Sequence, residues 1–463
     1  MRAAPVRRAR AIAAPLLTFV VATTTAGAAV LLPGADLARP DGAPRAVAAL
    51  DEGALPAAAL RPRRDAQRRR GSTTWFVSPT GDDAAPGTSS TRPVATLARA
   101  AQLPLRPGDR LLLQRGGSWT GTLRLAASGT SRAPITVGAW GTGALPRITG
   151  ATGSCVDVVG SRVTVTDLHV DGCAWAGVRV GGDDVRVERV LATGSWAGIQ
   201  VDTGADRARV LRNEVRDNDR MAPGTDGPDD DYGAFGILVN GDAAEVGWNL
   251  ITGQEALSPD YGSDGSAVEV YGAVGTRVHH NRAFGNRAFT ELGHARTADT
   301  VYAYNVSVSD VPYAEFLVTR GAGNAFGPVS GTVAVHNSVL HTGAGAQGFW
   351  CGGTCSPAVL TLRGNVLHVA GRAGWADVGA VGSSDNVFWG GALEIPLGPG
   401  DRYADPRFAS PTTGDLRLLA GSPAVDRAGL GTAGWSTDAQ GRSTPRDGDG
   451  DGLALADVGA LER

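Results

Sequence analysis

Short alternating strands, each closed by a small residue, recur along the chain after residue 160. The segments DDVRVERVLATG, GTRVHHNRAFGN and GTVAVHNSVLHTG each contain stretches in which small apolar residues alternate with polar ones. Such alternation is typical of β-strands, because successive side chains point to opposite faces. The pattern predicts an all-β protein built from repeated units.

An asparagine recurs at one place in most of these units. The positions are Asn213, Asn249, Asn281, Asn305, Asn337, Asn365 and Asn386. A period of roughly 22 to 24 residues with variable insertions indicates a parallel β-helix, in which each coil stacks on the one before. Stacked amides donate to and accept from one another, so they stay paired inside the coil. The sequence therefore predicts an asparagine ladder.

The two ends of the predicted β-helix, residues 73–400, need covers because an open sheet edge invites aggregation. Residues 95–103, ATLARAAQL, predict a short capping helix with leucine and alanine on one face. We expect the tail, residues 401–463, to close the other end.

The first residues, MRAAPVRRARAIAAPLLTFVVATTTAGA, place arginines before an apolar run and small residues after it. That order predicts a signal peptide over residues 1–28, with an uncleaved anchor as the alternative. Residues 29–72 are rich in alanine, proline and arginine and predict a disordered spacer. We expect a secreted, extracellular protein that has no stable membrane span after cleavage.

Export would let the four cysteines form disulfides. Of the three possible pairings we favour Cys155 with Cys173 and Cys351 with Cys355. Zinc is the rival for the CGGTC segment, although no second ligand pair of suitable spacing follows it.

The charge excludes some classes of function. A formal net charge of -3 argues against a nucleic-acid binder, which needs a concentrated basic face. Every basic residue is an arginine, so no mechanism can use a catalytic lysine.

Both ends of the repeat region resemble a known group. The opening, FVSPTGDDAAPGTSSTRPVATLARAAQLPLRPGDRLLLQRGGSW, and the closing segments DPRFASPTTGDLRLLAGSPAVDRAG and DVGALE are similar to those of secreted proteins of the pectate-lyase-like superfamily. The resemblance covers about residues 75–463 and implies a single-stranded right-handed parallel β-helix. The superfamily includes polysaccharide lyases, glycoside hydrolases, epimerases, esterases and phage tailspikes, so the resemblance alone does not specify an activity.

Three glutamates predict a column on the outside of the coils. Glu291 follows Asn281 by ten residues, Glu315 follows Asn305 by ten, and Glu269 precedes Glu291 by 22. Strand alternation directs these side chains outward, and neighbouring coils lie roughly 4.8 Å apart. A polar, solvated face without further function is the alternative.

Such a column suits two chemistries. Stacked glutamates match the acid and nucleophile of a retaining glycosidase, whose carboxyl groups lie about 5 to 5.5 Å apart. The same oxygens could instead hold Ca²⁺ beside a uronate for elimination, with Arg320, His294 or Tyr271 as the base.

Other polar residues fall on the same coils. Those that we expect to bind substrate are Asp264, Tyr271, Arg296 and Tyr313. In the tail, Asp447, Asp449 and Asp451 have calcium-loop spacing, with a plain acidic turn as the alternative. The twelfth position of that loop is Val458, which excludes an EF-hand.

These features together predict a secreted protein that binds and cleaves an extracellular polysaccharide, by hydrolysis or elimination. The alternative is a non-catalytic carbohydrate-binding or adhesion module. We expect a monomer whose partner is the polysaccharide, with no nucleic-acid partner, no certain cofactor and Ca²⁺ as the candidate ion.

Overall fold

Parallel strands stack into three rows in the computed structural model, which describes residues 71–222, 224–225, 227–228, 230–429 and 434–463. Each complete coil contributes one strand to each row, whereas the first and last coils are incomplete; the rows are named sheet 1, sheet 2 and sheet 3 in the order in which a coil visits them. The predicted signal peptide and nearly all of the predicted spacer lie outside the described residues.

The strands of the three sheets are as follows. Sheet 1 contains Thr74–Val77, Arg110–Gln114, Ile135–Trp140, Val163–Thr166, Arg186–Glu188, Arg209–Leu211, Glu245–Gly247, Arg277–His279, Val301–Ala303, Thr332–Val335, Leu360–Arg363 and Gly382–Ser384. Sheet 2 contains Ser118–Thr120, Arg147–Thr149, His169–Asp171, Leu191–Thr193, Glu214–Arg216, Leu250–Thr252, Arg282–Phe284, Val306–Ser309, Ser338–His341, the first part of Val366–Gly379, Val387–Leu393 and Arg402–Tyr403. Sheet 3 contains Leu123–Leu125, Val156–Val158, Ala176–Val180, Ala197–Val201, Phe235–Val239, Ser266–Tyr271, Ala288–Gly293, Glu315–Arg320, Gln347–Cys355 and the second part of Val366–Gly379.

The remaining elements are small. Two antiparallel pairs join Ala256–Ser258 to Gly262–Asp264 and Phe408–Ser410 to Asp415–Leu418; the helices are Leu97–Ala101 and the 3-10 turn Pro411–Thr413. The long parallel sheets confirm the predicted all-β parallel β-helix.

Stacked aliphatic side chains fill the inside of the coil. In sheet 3, Val178, Ile199, Ile237 and Val268 are register partners on successive coils, and all four are fully buried. Because strand side chains alternate, the residues that follow them, such as Arg179 and Glu269, point outward. The core thus fixes which positions of each strand face solvent.

The predicted asparagine ladder is confirmed. From Asn213 to Asn386, each side-chain amide nitrogen donates to the amide oxygen of the next asparagine at 2.9 to 3.0 Å. The last amide donates to Asp401 Oδ1 at 2.9 Å. The ladder therefore ties seven successive coils at the turn between sheet 1 and sheet 2.

A second, shorter ladder lies at the turn between sheet 2 and sheet 3. The backbone N–H of Asn218 donates to Gln254 Oε1 at 3.1 Å, and the backbone N–H of Gln254 donates to Asn286 Oδ1 at 3.0 Å. The sequence analysis missed this ladder because glutamine interrupts the asparagines.

The helix Leu97–Ala101 is shorter than predicted. Thr96 caps its start by accepting the Arg99 N–H at 3.1 Å, and Leu97 and Ala100 are buried in the main core. No helix in the described ranges has the length and apolarity needed to cross a membrane.

The tail contacts the sides of the coils. Arg402–Tyr403 adds the last strand, by pairing with Val387–Leu393. Beyond it, Leu418 and Leu461 belong to a buried cluster with Leu340, which lies on a much earlier coil. The tail therefore packs against the outer face of earlier coils, and its role in closing the end of the β-helix stays a prediction.

Both predicted disulfides are present. Cys155 pairs with Cys173 and Cys351 with Cys355, with Cα atoms 5.6 and 6.2 Å apart. Because these bonds use all four sulfurs, the zinc alternative for CGGTC is excluded.

Candidate active site

Glu269 and Glu291 face outward from adjacent strands of sheet 3. They are register partners on Ser266–Tyr271 and Ala288–Gly293. Val270 and Leu292, the residues that follow them, are fully buried, so alternation directs the two glutamates away from the core. Because the two residues lie on adjacent strands, their backbones are about 4.8 Å apart.

Glu315 does not continue this column, so the prediction of three equivalent positions was wrong. Its register partner is Ala288, whereas Val318 lies opposite Glu291. The connection between sheet 2 and sheet 3 spans residues 285–287 on the earlier coil and residues 310–314 on the later one. The longer strand and connection shift Glu315 along the sheet relative to Glu291.

Glu291 is partly exposed and paired with a cation. The Arg320 guanidinium donates to Glu291 Oε1, and the two side chains are 10% and 32% exposed. The Arg320 guanidinium carbon also lies 5.0 Å from the centre of the Trp350 ring. An aromatic face and a carboxylate thus hold Arg320 beside the pair.

Glu269 lies in a different environment. Its side chain is buried, and Ser266 Oγ donates to Glu269 Oε2 at 3.0 Å. Burial raises the pKa of Glu269 well above its usual range, and the nearby Glu291 and Asp264 raise it further. Glu269 therefore keeps its proton to higher pH than an ordinary glutamate does.

Asp264 is a further carboxyl group at this place. It ends the antiparallel hairpin Ala256–Ser258 and Gly262–Asp264 and accepts the Gly265 N–H at 2.8 Å. Burial raises the pKa of Asp264 to about 7, with a further contribution from Glu291. The hairpin, which lies outside the coils, therefore places the Asp264 carboxyl group near the glutamate pair.

Glu315 is held by two neighbours. Arg287 Nη1 donates to one carboxylate oxygen at 2.8 Å, and Gln347 Nε2 donates to the other at 2.9 Å. Burial raises the pKa of Glu315, while Arg287 acts in the opposite direction. Because both of its carboxylate oxygens already accept hydrogen bonds, Glu315 is suited to orienting Arg287 and Gln347.

The other predicted site residues lie on the same coils as the glutamates or at the turns beside them. Tyr271 is 38% exposed, and its ring centre lies 5.3 Å from that of the exposed His294. Arg296 forms an ion pair with Asp242 at 2.5 Å. Tyr313 is 64% exposed, two residues before Glu315 in the chain.

Arg287, Gln347 and Trp375 were not predicted as site residues. Arg287, from the coil before Glu315, and Gln347, from the coil after it, both bond to that carboxylate, and Trp375 donates to Gln347. The Trp375 ring is also stacked on the Trp350 ring, with centres 5.6 Å apart. No short motif marks such positions, because their spacing depends on loop lengths.

Two acidic triads have oxygens within 4.8 Å of one another, and neither includes Glu269 or Glu291. They are Asp230, Asp231 and Asp260, and Asp426, Asp447 and Asp449. Two of the three predicted calcium ligands thus come together with Asp426. The Asp451 carboxylate instead accepts the Leu453 N–H at 2.8 Å.

Solved structures share this architecture. A pectate lyase, Pel9A, aligns with a TM-score of 0.58 and 15% identity over 85% of this chain and 97% of that chain. A GH136 lacto-N-biosidase from Eubacterium ramulus aligns with a TM-score of 0.52 and 17% identity over 72% of this chain and 67% of that chain. XylC in complex with xylose aligns with a TM-score of 0.53 and 10% identity over 84% of this chain and 98% of that chain.

The fold is the pectate-lyase-like parallel β-helix. Identities this low establish the fold alone. No protein-family model matches the sequence, and a comparison with functionally curated proteins gives no match. Any activity of this β-helix must therefore be argued from its own residues.

Proposed function

We propose that this protein is a secreted glycoside hydrolase that cleaves an extracellular polysaccharide, with Glu269 and Glu291 as the catalytic pair. The observation that carries the proposal is their register pairing in unlike environments: Glu269 is buried, whereas Glu291 faces Arg320. Two carboxyl groups whose environments differ in this way can divide the roles of acid and nucleophile. As register partners on adjacent strands, their backbones lie about 4.8 Å apart, which allows the carboxyl groups to reach the separation of about 5 to 5.5 Å that retaining enzymes use.

In the first step, the protonated Glu269 carboxyl group donates its proton to the glycosidic oxygen. A Glu291 oxygen attacks the anomeric carbon, the carbon–oxygen bond to the leaving sugar breaks, and that sugar departs as an alcohol. Arg320 orients Glu291 through their ion pair, and the product is a glycosyl ester on Glu291.

In the second step, the Glu269 carboxylate accepts a proton from water. The water oxygen attacks the anomeric carbon, the ester bond to Glu291 breaks, and the sugar leaves with its original anomeric configuration. Glu269 is protonated again and Glu291 is free, so the cycle closes without a metal ion or other co-reactant.

Surrounding residues complete the proposed site. Tyr271 and Tyr313 are exposed aromatic surfaces on which sugars can stack, and Glu315 positions Arg287 and Gln347. We place His294 and Arg296 at the rim, where both are exposed.

Hydrolysis is favoured over elimination in part because one of the three candidate bases, Arg320, is already engaged. Arg320 is engaged as the cation of an ion pair with Glu291, which makes it unsuited to abstract a proton. In the described ranges, the acidic triads suited to a cation lie elsewhere, so a calcium-assisted elimination at Glu269 has less support. The neighbours named as pectate lyase and lacto-N-biosidase, and the one solved with xylose, are consistent with a carbohydrate substrate.

The test is to incubate the mature protein with a panel of neutral and uronic polysaccharides, with and without Ca²⁺. New reducing ends without an unsaturated product would support hydrolysis. Ultraviolet absorbance from an unsaturated uronate would instead identify a lyase and overturn the proposal. Binding without either product would favour a carbohydrate-binding or adhesion module.

A further inference from the structure

The carboxyl groups around the catalytic pair outnumber the cations that contact them. Asp264, Glu269, Glu291 and Glu315 influence one another electrostatically. Arg287 and Arg320 each form an ion pair with one of these glutamates, and their side chains are only 18% and 10% exposed. Both guanidiniums are thus already paired with a carboxylate of the cluster, and Arg320 Nη1, which has no hydrogen-bond partner among the described residues, is itself buried.

A uronate bound here would place another carboxylate in this cluster. Burial and the neighbouring carboxylates already raise the pKa of Asp264 and of Glu269, so this cluster disfavours negative charge before any sugar binds. A further carboxylate would be disfavoured for the same two reasons. A neutral sugar meets no such penalty, because its hydroxyl groups can donate hydrogen bonds to carboxylates.

Tyr271 offers such a sugar a stacking surface beside Glu269. It follows Glu269 by two residues, so both side chains point outward from the same strand. Its register partner is Gly293, and a Cβ atom added to Gly293 would lie 2.8 Å from Tyr271 Cε2. The ring therefore rests against the bare backbone of the coil that carries Glu291.

Tyr313 repeats the arrangement on the other side of the pair. A Cβ atom added to Gly345 would lie 2.4 Å from Tyr313 Cδ1, so this ring also packs where a side chain is missing. Two glycines thus make room for two exposed aromatic rings that flank the glutamates along the strands.

We propose that the site takes a neutral glycan, one sugar of which stacks on the Tyr271 ring held against Gly293. This inference rests on the proposed hydrolytic function and adds the substrate class. The apolar face of a neutral pyranose packs on the ring, while its hydroxyl groups contact the carboxyl cluster.

The first experiment uses one uronic polysaccharide and its carboxyl-reduced derivative, which share linkages and differ in charge. We expect kcat/KM for release of reducing ends to be at least roughly tenfold higher on the reduced polymer. Faster hydrolysis of the uronic parent would overturn the neutral-glycan inference while leaving hydrolysis intact. Hydrolysis of neither polymer, nor of a panel of neutral glycans, would count against the proposed function instead.

Binding is measured separately with the Glu291→Gln protein and neutral and uronic oligosaccharides, by calorimetry with and without Ca²⁺. Preference for the neutral oligosaccharides supports the inference even if no turnover is found. Binding of uronic oligosaccharides only, or uronate binding that appears with Ca²⁺, contradicts it, as does the absence of any binding.

The stacking role is tested by Gly293→Ala, which leaves the tyrosine and all carboxyl groups in place but displaces the ring. We expect KM to rise roughly three- to tenfold with little change in kcat, as for Tyr271→Ala. The matched control is Gly153→Ala, because Gly153 has no atom within 4 Å of an added Cβ. If both site variants lower the melting temperature and leave KM unchanged, the ring is structural and the stacking role is wrong.

Discussion

Arg320 forms an ion pair with Glu291 on the preceding coil, although the strand register places Val318 opposite that glutamate. The guanidinium therefore reaches diagonally across the sheet. This diagonal contact makes Glu291 unlike Glu269, its register partner, whose carboxyl group accepts the Ser266 hydroxyl instead.

Glu291→Gln is expected to lower kcat by more than about a thousandfold, because an amide cannot form the glycosyl ester. The amide oxygen can still accept from Arg320, so the melting temperature should change by less than about 2 °C. The measurements are reducing-end release and thermal unfolding. Glu394→Gln is the matched control, because Glu394 is an exposed ion-pair partner of Arg372 on a later coil. A large fall in melting temperature with Glu291→Gln would mean that the pair is structural.

The pH dependence of activity should reflect the ionisation of Glu269. Because the pKa of Glu269 is raised, its acid form persists above the usual range of a glutamate, and activity should decline as pH rises through that raised pKa. Glu269→Gln should remove this limb. The variant should still form the glycosyl ester from an aryl glycoside whose leaving group needs no proton. Failure of the activated substrate to react would contradict the assignment of Glu269 as the acid.

The same raised pKa links stability to pH. The folded protein holds the Glu269 proton to higher pH than the unfolded chain does. The stability that this proton contributes is therefore complete below the pKa of Glu269 in the unfolded chain, and it is lost as pH rises through the pKa of Glu269 in the folded protein. Buried histidines such as His341, whose pKa is lowered to about 4, act in the opposite direction. The difference in melting temperature between Glu269→Gln and the parent protein isolates the glutamate, and it should shift in favour of the variant with rising pH. A pH-independent difference would contradict the shift.

The asparagine ladder should be sensitive to truncation at its centre. Asn305 accepts from the Asn281 amide at 3.0 Å and donates to Val278 O at 2.9 Å and Asn337 Oδ1 at 3.0 Å. Asn305→Ala leaves several buried polar groups unpaired, and we expect it to lower the free energy of unfolding by roughly 3 to 5 kcal/mol in urea titrations.

The comparison for this variant is Asn240→Ala. The half-buried Asn240 makes a side-chain hydrogen bond to the Tyr271 carbonyl at 2.8 Å, and its loss should cost less than about 1 kcal/mol. Equal costs for the two variants would show that the ladder adds nothing beyond single hydrogen bonds.

Trp435 should anchor the tail. Its ring centre lies 4.4 Å from that of His279, and the Arg277 guanidinium carbon lies 4.7 Å from it. We expect Trp435→Ala to make the tail susceptible to limited proteolysis while the coils stay resistant. Leu453→Ala, at a site 62% exposed, should leave the cleavage pattern unchanged. Unchanged resistance with Trp435→Ala would show that other contacts hold the tail.

The coil architecture could be predicted because the ladder needs one asparagine at the same place in every coil. The sequence separation between these asparagines therefore shows the length of each coil. The pairing of Glu269 with Glu291 was likewise visible, since one regular coil of 22 residues separates them. Glu315 was misplaced because counting from Asn305 assumes equal path lengths. The chain before Glu315 has a longer strand and a longer connection, which no local pattern reports.

The environment of the site was less predictable than its position. The burial of Glu269 and the pairing of Arg320 with Glu291 depend on side chains from other coils and from the hairpin that ends at Asp264. These contacts follow from packing in three dimensions, so only the structure could reveal that the two glutamates differ.

The unequal connections between sheet 2 and sheet 3, residues 285–287 and 310–314, have a consequence for how such a surface can diversify. Insertions or deletions in these loops slide a whole strand along its neighbour and bring a new outward side chain beside the same glutamate. The coils can otherwise keep their inner ladder. Specificity in this architecture can therefore evolve through changes of loop length, without any substitution in the strands that form the catalytic surface.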